Sequence, residues 1–329
     1  MFSGLLAPAE AATLLASGRS FSVAGDARLL EALPAGNWIG GSIPYFVTEQ
    51  GGECSRDKVF LSEVPTFGKT PQIRFYARSD LPRIFLDAPE NGFSLIIIPA
   101  FSQAHADFAS NAPEYEDAFM KPLAGWVAGV HLDDLGKVAP VVANGQRKML
   151  SDAAAVVMHV ELPPEKSAHI DIVNLFRPGE GSVITFAETG FSAGDCLIDG
   201  RPGNLADHLL QTQADTRLPL VADYCGAHIN VSIRSIDAAA RRVEFYAPVF
   251  AGMEYRLAAP MGDYVEGFAL AVPAGGHASS AVFSCNCILN YLHCGLEGRR
   301  VGALTGPATF GEVAYQLLNQ TLVYMTVDG

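Results

Sequence analysis

Short apolar runs, separated by turns rich in glycine and proline, dominate the hydrophobic pattern of this chain. Most of these runs are rich in Val, Ile and Phe and are bounded by turn residues, which is typical of strands. Fewer segments show the apolar period of a helix. The pattern predicts strands that include 58–64, 72–77, 93–99, 126–131, 138–143 and 154–162, and helices that include 8–15, 103–110 and 205–212.

Strands outnumber helices in this pattern, and the two do not alternate strictly along the chain. We therefore predict an α+β fold with mixed, strand-rich sheets flanked by short helices. A length of 329 residues suggests two domains or one elaborate domain, since one domain usually has about 100–200 residues. The proline-containing polar stretch at 162–167 is the best boundary, which predicts two similar-sized domains at 1–165 and 166–329.

Composition and charge narrow the classes of partner. The formal net charge is −13, and no run of basic residues is long enough to form a basic face. Nucleic acid and anionic membranes are therefore excluded as partners, since both are bound through clustered Lys and Arg. No apolar run approaches the roughly 20 residues that a membrane-spanning helix needs. Because the N-terminus also lacks a basic signal region, we expect a cytoplasmic protein whose six cysteines are reduced.

Familiar catalytic and nucleotide-binding motifs do not fit this sequence. The closest approach to a Gly-x-Ser-x-Gly elbow is the stretch around Ser42, where a proline two residues later removes the flexibility the elbow needs. The glycine-rich turns at 179–181 and 200–203 lack the Gly-Lys-Ser/Thr ending of a phosphate loop. ATP and dinucleotides are therefore weak candidates for a ligand.

The end of the chain contains the most specific motifs. Gly-Glu at 311–312 follows a glycine-proline turn, and Asn-Gln-Thr at 319–321 follows a short apolar segment. Together with the stretches at 248–257 and 281–285, these motifs resemble, in the same order, the C-terminal domain of FIST sensory proteins. Residues 1–165 resemble the FIST N-terminal domain through the stretches at 38–42 and 125–130.

The resemblance implies a non-catalytic sensory module that binds a small molecule, such as an amino acid, and is coupled to a signalling partner. One departure from the family pattern follows Cys285, where a small residue, glycine and arginine are expected. This chain has Asn286, Cys287 and Ile288 there instead. The missing arginine implies that this chain binds a ligand different from that of the family.

Glu312 and Asn319 are polar residues seven positions apart in otherwise apolar sequence. On a helix this spacing would place both side chains on one face, where they could contact a ligand amine or hydroxyl. Alternatively, each side chain bonds backbone groups where the two domains meet. Because the family resemblance centres on this segment, we predict a ligand pocket between the two halves, lined by Ser42, Tyr45, Phe310, Glu312 and Asn319.

The paired glycines Gly40 and Gly41 are the reason for including Ser42 and Tyr45 in that pocket. Two glycines inside an apolar strand predict either a β-bulge or a close approach of another group to the backbone. An aromatic ring beside bare backbone would offer a flat wall to a small solute. Packing in the core is the alternative for these aromatic residues.

Four residues near the C-terminus could bind zinc or iron, because they offer three thiols and an imidazole within ten residues: Cys285, Cys287, His293 and Cys294. The alternative is that a Cys-x-Cys pair on a strand points both sulfurs into the core. The second hypothesis for function is accordingly a metal-assisted hydrolase that uses this cluster or the pair His131 and Asp133. The leading hypothesis is a non-enzymatic, cofactor-free binding protein.

Overall fold

The computed structural model describes residues 1–224, 226–272 and 277–328. At positions 277 and 279 it describes only the backbone. Strand accounts for 42% of the structure and helix for 19%. The predicted α+β class, with mixed strand-rich sheets and short helices, is confirmed.

The described strands are β1 (Ser3–Leu6), β2 (Ser20–Gly25), β3 (Asn37–Ser42), β4 (Tyr45–Thr48), β5 (Gly51–Cys54), β6 (Val59–Val64), β7 (Gln72–Tyr76), β8 (Gly92–Pro99), β9 (Leu123–Ala128), β10 (Val142–Asn144), β11 (Met149–Ser151), β12 (Ala155–Glu161), β13 (Ser167–Val173), β14 (Ile184–Thr185), β15 (Gly190–Ala193), β16 (Asp195–Ile198), β17 (Arg201–Asn204), β18 (Leu220–Tyr224), β19 (Ala227–Val231), β20 (Ile233–Asp237), β21 (Arg242–Val249), β22 (Glu254–Leu257), β23 (Phe283–Cys287), β24 (Gly306–Thr309), β25 (Glu312–Ala314), β26 (Gln316–Leu318) and β27 (Leu322–Asp328).

The α-helices are α1 (Pro8–Leu15), α2 (Ala27–Ala32), α3 (Ile84–Asp87), α4 (Gln103–Asn111), α5 (Leu205–Gln211), α6 (Tyr264–Ala271) and α7 (Ile288–His293). Short 3₁₀ helices lie at Arg78–Arg83, Ala112–Glu114, Leu132–Asp134 and His277–Ser280. Within the described ranges every helix is too short or too polar to cross a membrane.

Most of the predicted elements are present. The strands expected at 58–64, 72–77, 93–99 and 154–162 correspond to β6, β7, β8 and β12, and the three expected helices correspond to α1, α4 and α5. The strand expected at 126–131 begins and ends three residues earlier, as β9, because it pairs in parallel with β8 from Leu123 to Ala128. The strand expected at 138–143 is reduced to the short β10.

The described strands form four six-stranded sheets and one three-stranded sheet. The strand orders are β1-β6-β2-β3-β10-β11 in sheet 1, β26-β25-β9-β8-β12-β7 in sheet 2, β13-β27-β23-β24-β4-β5 in sheet 3, β17-β16-β14-β22-β18-β19 in sheet 4 and β15-β21-β20 in sheet 5.

Sheets 1, 2 and 3 each contain one parallel pair of strands. The pairs are β2 with β3, β8 with β9, and β23 with β24, joined through α2, α4 and α7 respectively. Parallel neighbours need such a crossover, because the chain must return to the same end of the sheet before the second strand begins. The carboxyl ends of these strands therefore lie next to helix starts and loops.

The largest core lies among sheets 1, 2 and 3, with buried side chains such as Ile39, Trp126 and Cys285 contributed by the three sheets in turn. Gly41 shows how closely two of these sheets approach. A Cβ atom at this position would lie 2.6 Å from both Ile97 Cγ2 and Trp126 Cη2. The predicted close approach at the paired glycines is therefore confirmed, and it involves the neighbouring sheet. The predicted alternative of a bulge is wrong, because the register of β3 with β2 and β10 is continuous there.

Smaller cores cover the outer faces. Helices α1 and α2 pack on sheet 1 around Leu15, Leu30 and Trp38. Helix α4 packs on sheet 2 through Phe108. Helix α5 packs through Leu205 and Leu209 on a separate core formed by sheets 4 and 5.

The division predicted at residues 165 and 166 falls in the turn between β12 and β13. Sheets 4 and 5 contain only strands from after this point, whereas sheets 2 and 3 combine strands from before and after it. The two halves are therefore joined by continuous β-sheet, and the assignment of two domains stays a prediction.

Candidate functional site

Four chain segments that follow parallel strands meet at one cavity. Phe101 follows β8, Leu132 follows β9, α7 follows β23, and Phe310 follows β24, and all four segments line a cavity of about 460 Å³. Ligands of sheets with parallel strands commonly bind beyond the carboxyl ends of those strands, where loops and helix starts face solvent. The position of this cavity is therefore typical of a binding site.

The wall of this cavity, called here the apolar cavity, is mainly hydrophobic. Its lining includes Leu132, Leu289, Leu292 and the two phenylalanine rings at 101 and 310, and the polar side chains in the lining are Arg234 and Tyr246. Phe101 and Leu292 are 55% and 42% exposed, so large apolar side chains at the rim are in contact with water. An apolar wall with few polar groups is the usual composition of a small-molecule pocket.

The two phenylalanine rings are held in place by unusual local geometry. Phe101 has a φ of 65°, a conformation that is strained for a bulky residue. Its ring meets the ring of Phe310 edge to face, with 6.2 Å between the centroids. The Phe310 ring in turn packs on the bare backbone of Gly129, where a Cβ atom would lie 2.3 Å from it. Both rings are therefore positioned by backbone features specific to this site.

A smaller cavity of about 190 Å³ adjoins the apolar cavity. The two cavities share the side chains Phe101, Arg234, Tyr246 and Phe310. The smaller cavity is bounded by the first turn of α4, which Ser102 caps by accepting a hydrogen bond from the backbone N–H of His105 at 3.0 Å. We call it the polar cavity, because His105 and Glu244 also line it.

Among the predicted ligand-binding residues, Phe310 lines both cavities. Ser42 and Tyr45 instead bond the backbone of the segments next to the cavities. Ser42 Oγ donates to the Gly129 carbonyl at 2.8 Å and accepts from the Val141 N–H at 2.9 Å. The Tyr45 hydroxyl accepts from the Leu132 N–H at 3.1 Å, and burial raises the pKa of Tyr45. Both residues therefore fix the loop after β9 and do not line the described cavities.

Glu312 lies in a β-hairpin and Asn319 directly after it, so the shared face that a helix would have given these two side chains does not arise. Glu312 pairs with Leu318 in the β25–β26 hairpin, and Asn319 follows β26 directly. Their exposed fractions are 0% and 1%, and neither residue lines a described cavity. Strands β25 and β26 are short and largely buried, and an apolar run of this kind is compatible with either a strand or a helix.

The Glu312 carboxyl accepts two hydrogen bonds at Oε2, from the Thr321 N–H at 3.1 Å and from the Thr321 hydroxyl at 2.7 Å. Glu312 Oε1 and Asn319 Oδ1 have no hydrogen-bond partner within the part of the chain that the structure describes. Burial raises the pKa of Glu312 to about 8. A neutral carboxylic acid is therefore the main form of Glu312 near neutral pH, because the core does not solvate its charge.

The four predicted metal ligands are not brought together. Cys285 and Cys287 point into the core from β23, and burial raises the pKa of both thiols well above the usual value. His293 and Cys294, at the end of α7, line a different cavity of about 480 Å³. Across residues 1–224, 226–272 and 277–328, no group of three or more His, Cys, Asp or Glu side chains could hold a metal ion.

The alternative pair, His131 and Asp133, forms a local turn. The His131 Nδ1 atom accepts a hydrogen bond from the backbone N–H of Asp133 at 3.3 Å. The Asp133 side chain is 89% exposed. The His131 ring stacks on Tyr45 with 5.6 Å between the centroids, so its main contact is structural.

The cavity beside His293 is slightly larger than the apolar cavity, but the charges around it are already paired. Arg217 bonds both carboxylate oxygens of Asp215, at 2.9 and 2.7 Å. Arg299 bonds both oxygens of Asp263, at 2.8 and 2.6 Å. These pairs leave few free charged groups for a ligand, so the apolar cavity and its polar neighbour form the stronger candidate site.

Sequence reasoning missed Phe101, Arg234, Tyr246 and the apolar face of α7. Phe101 could have been found, because it stands between an apolar strand and a serine that can cap a helix. Arg234 and Tyr246 have no comparable local pattern. They reach the site only because sheet 5 packs beside α4, a long-range relationship that the pattern does not encode.

This chain has no match among curated proteins and none among solved structures. A family model does match, over residues 6–328, and its description is a family of unknown function, DUF6976. Because the match covers nearly the whole sequence, this chain belongs to family DUF6976.

Proposed function

We propose that this chain is a non-catalytic, sensory binding protein whose small-molecule ligand occupies the apolar cavity. The observation that supports this most strongly is the cavity itself: about 460 Å³ of mainly apolar space at the carboxyl ends of two parallel strand pairs. A volume in this range accommodates a metabolite-sized ligand. The ligand would bury an apolar body between Phe101 and Phe310.

The composition of the wall favours binding over catalysis. Arg234 and Tyr246 supply polar contacts, but the described lining has no nucleophile beside a base and no pair of carboxylates. Such groups are what acid–base or covalent catalysis needs within hydrogen-bond reach of a substrate. A site of this kind selects a ligand by shape and by a small number of polar contacts.

The resemblance to FIST sensory proteins supports the same proposal independently of the cavity. It suggests a signal-input role, an amino acid as one class of ligand, and a separate signalling partner. The described cysteines are all free thiols, which supports a reducing compartment such as the cytoplasm. The cavity alone supports only the ligand-binding part of this proposal.

A neutral fluorescent probe tests the proposal directly. N-phenyl-1-naphthylamine becomes fluorescent in apolar surroundings, so it should bind the protein with a saturable signal and a stoichiometry of about one, as one pocket predicts. The variant Leu292→Trp places an indole at the rim and should weaken binding by about tenfold or more.

Leu270→Trp is the matched control. Leu270 is 84% exposed on α6 and lines neither cavity, so this variant should bind the probe like the unmodified protein. If the probe does not bind, or if both variants bind it equally well, the apolar cavity is not the ligand site.

A further inference from the structure

We infer that the ligand is an anion, namely a carboxylic acid with an apolar body, and that Arg234 binds its carboxylate where the two cavities join. This inference depends on the proposed function, because it names the chemical class of ligand for the same site. The apolar body would lie in the apolar cavity and the carboxylate would point toward the polar cavity. Four side chains shared by the two cavities make them continuous.

The guanidinium group of Arg234 has unused hydrogen-bonding capacity. Its nearest carboxylate is Glu244, at 3.7 Å between Nη1 and Oε2, which is too long for a good hydrogen bond. By comparison, Arg217 and Arg299 lie 2.7 and 2.6 Å from their carboxylate partners. A guanidinium carries five N–H donors in a fixed fork that matches a carboxylate. Arg234 is therefore free to bind one.

Position favours a ligand contact at Arg234. Its side chain is 50% exposed, and its guanidinium lies over the Phe101 ring with 5.8 Å between Cζ and the centroid. This contact holds the charge at the edge of the apolar wall. A ligand whose apolar part packs against Phe101 and Phe310 would bring a terminal carboxylate next to Arg234.

Other residues that line the polar cavity also favour an anion. Ser102 and Gln103 line it at the N-terminus of α4, where the helix dipole and unsatisfied N–H groups stabilise negative charge. His105, on the same turn, is 8% exposed, and its Nε2 atom has no partner among the described residues. Arg234 lines the same cavity as these α4 residues.

Glu244 is the group that opposes this assignment. Its carboxylate lines the polar cavity and is 47% exposed, so solvent screens its charge. A ligand carboxylate would compete with Glu244 for Arg234. It would bind Arg234 more strongly than Glu244 does, because the Arg234–Glu244 distance of 3.7 Å is too long for a good hydrogen bond. A positively charged ligand would instead contact Glu244 and be repelled by Arg234, so an amine is the informative opposite probe.

Three probes of one shape separate these possibilities: 4-phenylbutyrate, its neutral amide 4-phenylbutyramide, and the cation 4-phenylbutylamine. Calorimetric titration at pH 7.5 should give the acid an affinity at least about tenfold higher than the amide. The amine should bind more weakly than the amide. Arg234→Met should bind acid and amide within about twofold of each other and should retain the amide affinity of the unmodified protein.

Arg234→Lys keeps the charge but loses the planar fork, so it should retain part of the preference for the acid. Arg201→Met is the control, because Arg201 is exposed on β17 and lines neither cavity, and it should leave the preference unchanged. Equal binding of acid and amide, tighter binding of the amine, or an acid preference that survives Arg234→Met would overturn the inference while leaving the proposed function intact. If none of the three probes binds the unmodified protein although N-phenyl-1-naphthylamine does, the inference is wrong and the proposed function stands; if N-phenyl-1-naphthylamine also fails to bind, both are wrong.

Discussion

Thr321 donates both its backbone N–H and its hydroxyl to a single carboxylate oxygen of Glu312, at 3.1 and 2.7 Å, inside a fully buried part of the core. The contact joins the β25–β26 hairpin of sheet 2 to the start of β27 in sheet 3. Glu312 is therefore a structural link between two sheets. Phe310, two residues earlier in the chain, lines the candidate site.

The raised pKa of Glu312 makes stability depend on pH. Its native pKa is about 8, against 4.5 for an unperturbed glutamic acid, so between these values the native state holds a proton that the unfolded state has lost. The contribution of Glu312 is complete below about pH 4.5 and is lost as pH rises toward 8, with a slope of up to about 1.4 kcal/mol per pH unit.

Glu312→Gln should remove this slope, because a neutral amide does not ionise. Urea unfolding at several pH values between 6.5 and 8 should show a falling free energy for the unmodified protein and a flatter profile for the variant. Parallel profiles would mean that Glu312 does not bind a proton in the native state in this range.

Burial of His159 predicts the opposite pH dependence on the acid side. Its ring bonds the Tyr76 hydroxyl and Ser94 Oγ, both at 2.7 Å, and burial lowers its pKa to about 4 from 6.5. The unfolded state therefore binds a proton that the native state does not, and the contribution of His159 is lost as pH falls from about 6.5 to 4.

His159→Gln should reduce the acid-side slope of the unfolding free energy by up to about 1.4 kcal/mol per pH unit. His105 supplies a second contribution of the same sign, because burial also lowers its pKa to about 4, so His105 should be kept unchanged in this comparison. An identical acid-side slope in the variant and in the unmodified protein would contradict the burial of a neutral His159.

The contact between sheets 1 and 2 at Gly41 predicts a steric effect. An added Cβ atom would lie 2.6 Å from Ile97 and Trp126 side-chain atoms, and both side chains are almost fully buried. Gly41→Ala should therefore reduce the free energy of unfolding by roughly 1–3 kcal/mol. Gly181→Ala, where no atom lies within 4 Å of the added Cβ, should change it by less than about 0.5 kcal/mol. Equal effects of the two substitutions in chemical denaturation would show that these sheets do not pack as described.

Phe101 combines backbone strain with a role in the cavity wall, so two substitutions should separate the two effects. Glycine adopts a φ of 65° without the strain that a side chain brings. Phe101→Gly should therefore be more stable than Phe101→Ala by roughly 1 kcal/mol. Both variants should lose most N-phenyl-1-naphthylamine binding. Thermal unfolding and probe titration measure the two effects separately, and tight probe binding by either variant would exclude Phe101 from the site.

The sequence predicted the local elements better than their assembly. Runs such as 93–99 and 154–162 are mainly apolar, with Ser94, His159 and Glu161 as the polar exceptions, because β8 and nearly all of β12 are buried, and this makes them easy to recognise. The sequence left the arrangement of Glu312 and Asn319 open, because two short buried strands and a tight turn give an apolar pattern that periodicity does not distinguish from a helix.

The candidate site was predicted only in part, for a related reason. Phe310 was named because it lies in the segment with the most specific motif, and the structure places it in both cavities. Arg234 comes from a different sheet and meets Phe101 only through tertiary packing. Charged residues of this kind have no distinguishing neighbours in the sequence, so only the fold shows which arginine faces a cavity.

The most direct measurement of the central claim is a crystal structure of the protein with 4-phenylbutyrate. We predict electron density for the phenyl ring between Phe101 and Phe310 in the apolar cavity, with the carboxylate within hydrogen-bond distance of the Arg234 guanidinium. An empty apolar cavity in crystals that contain the bound probe elsewhere, or in crystals saturated with it, would contradict the account.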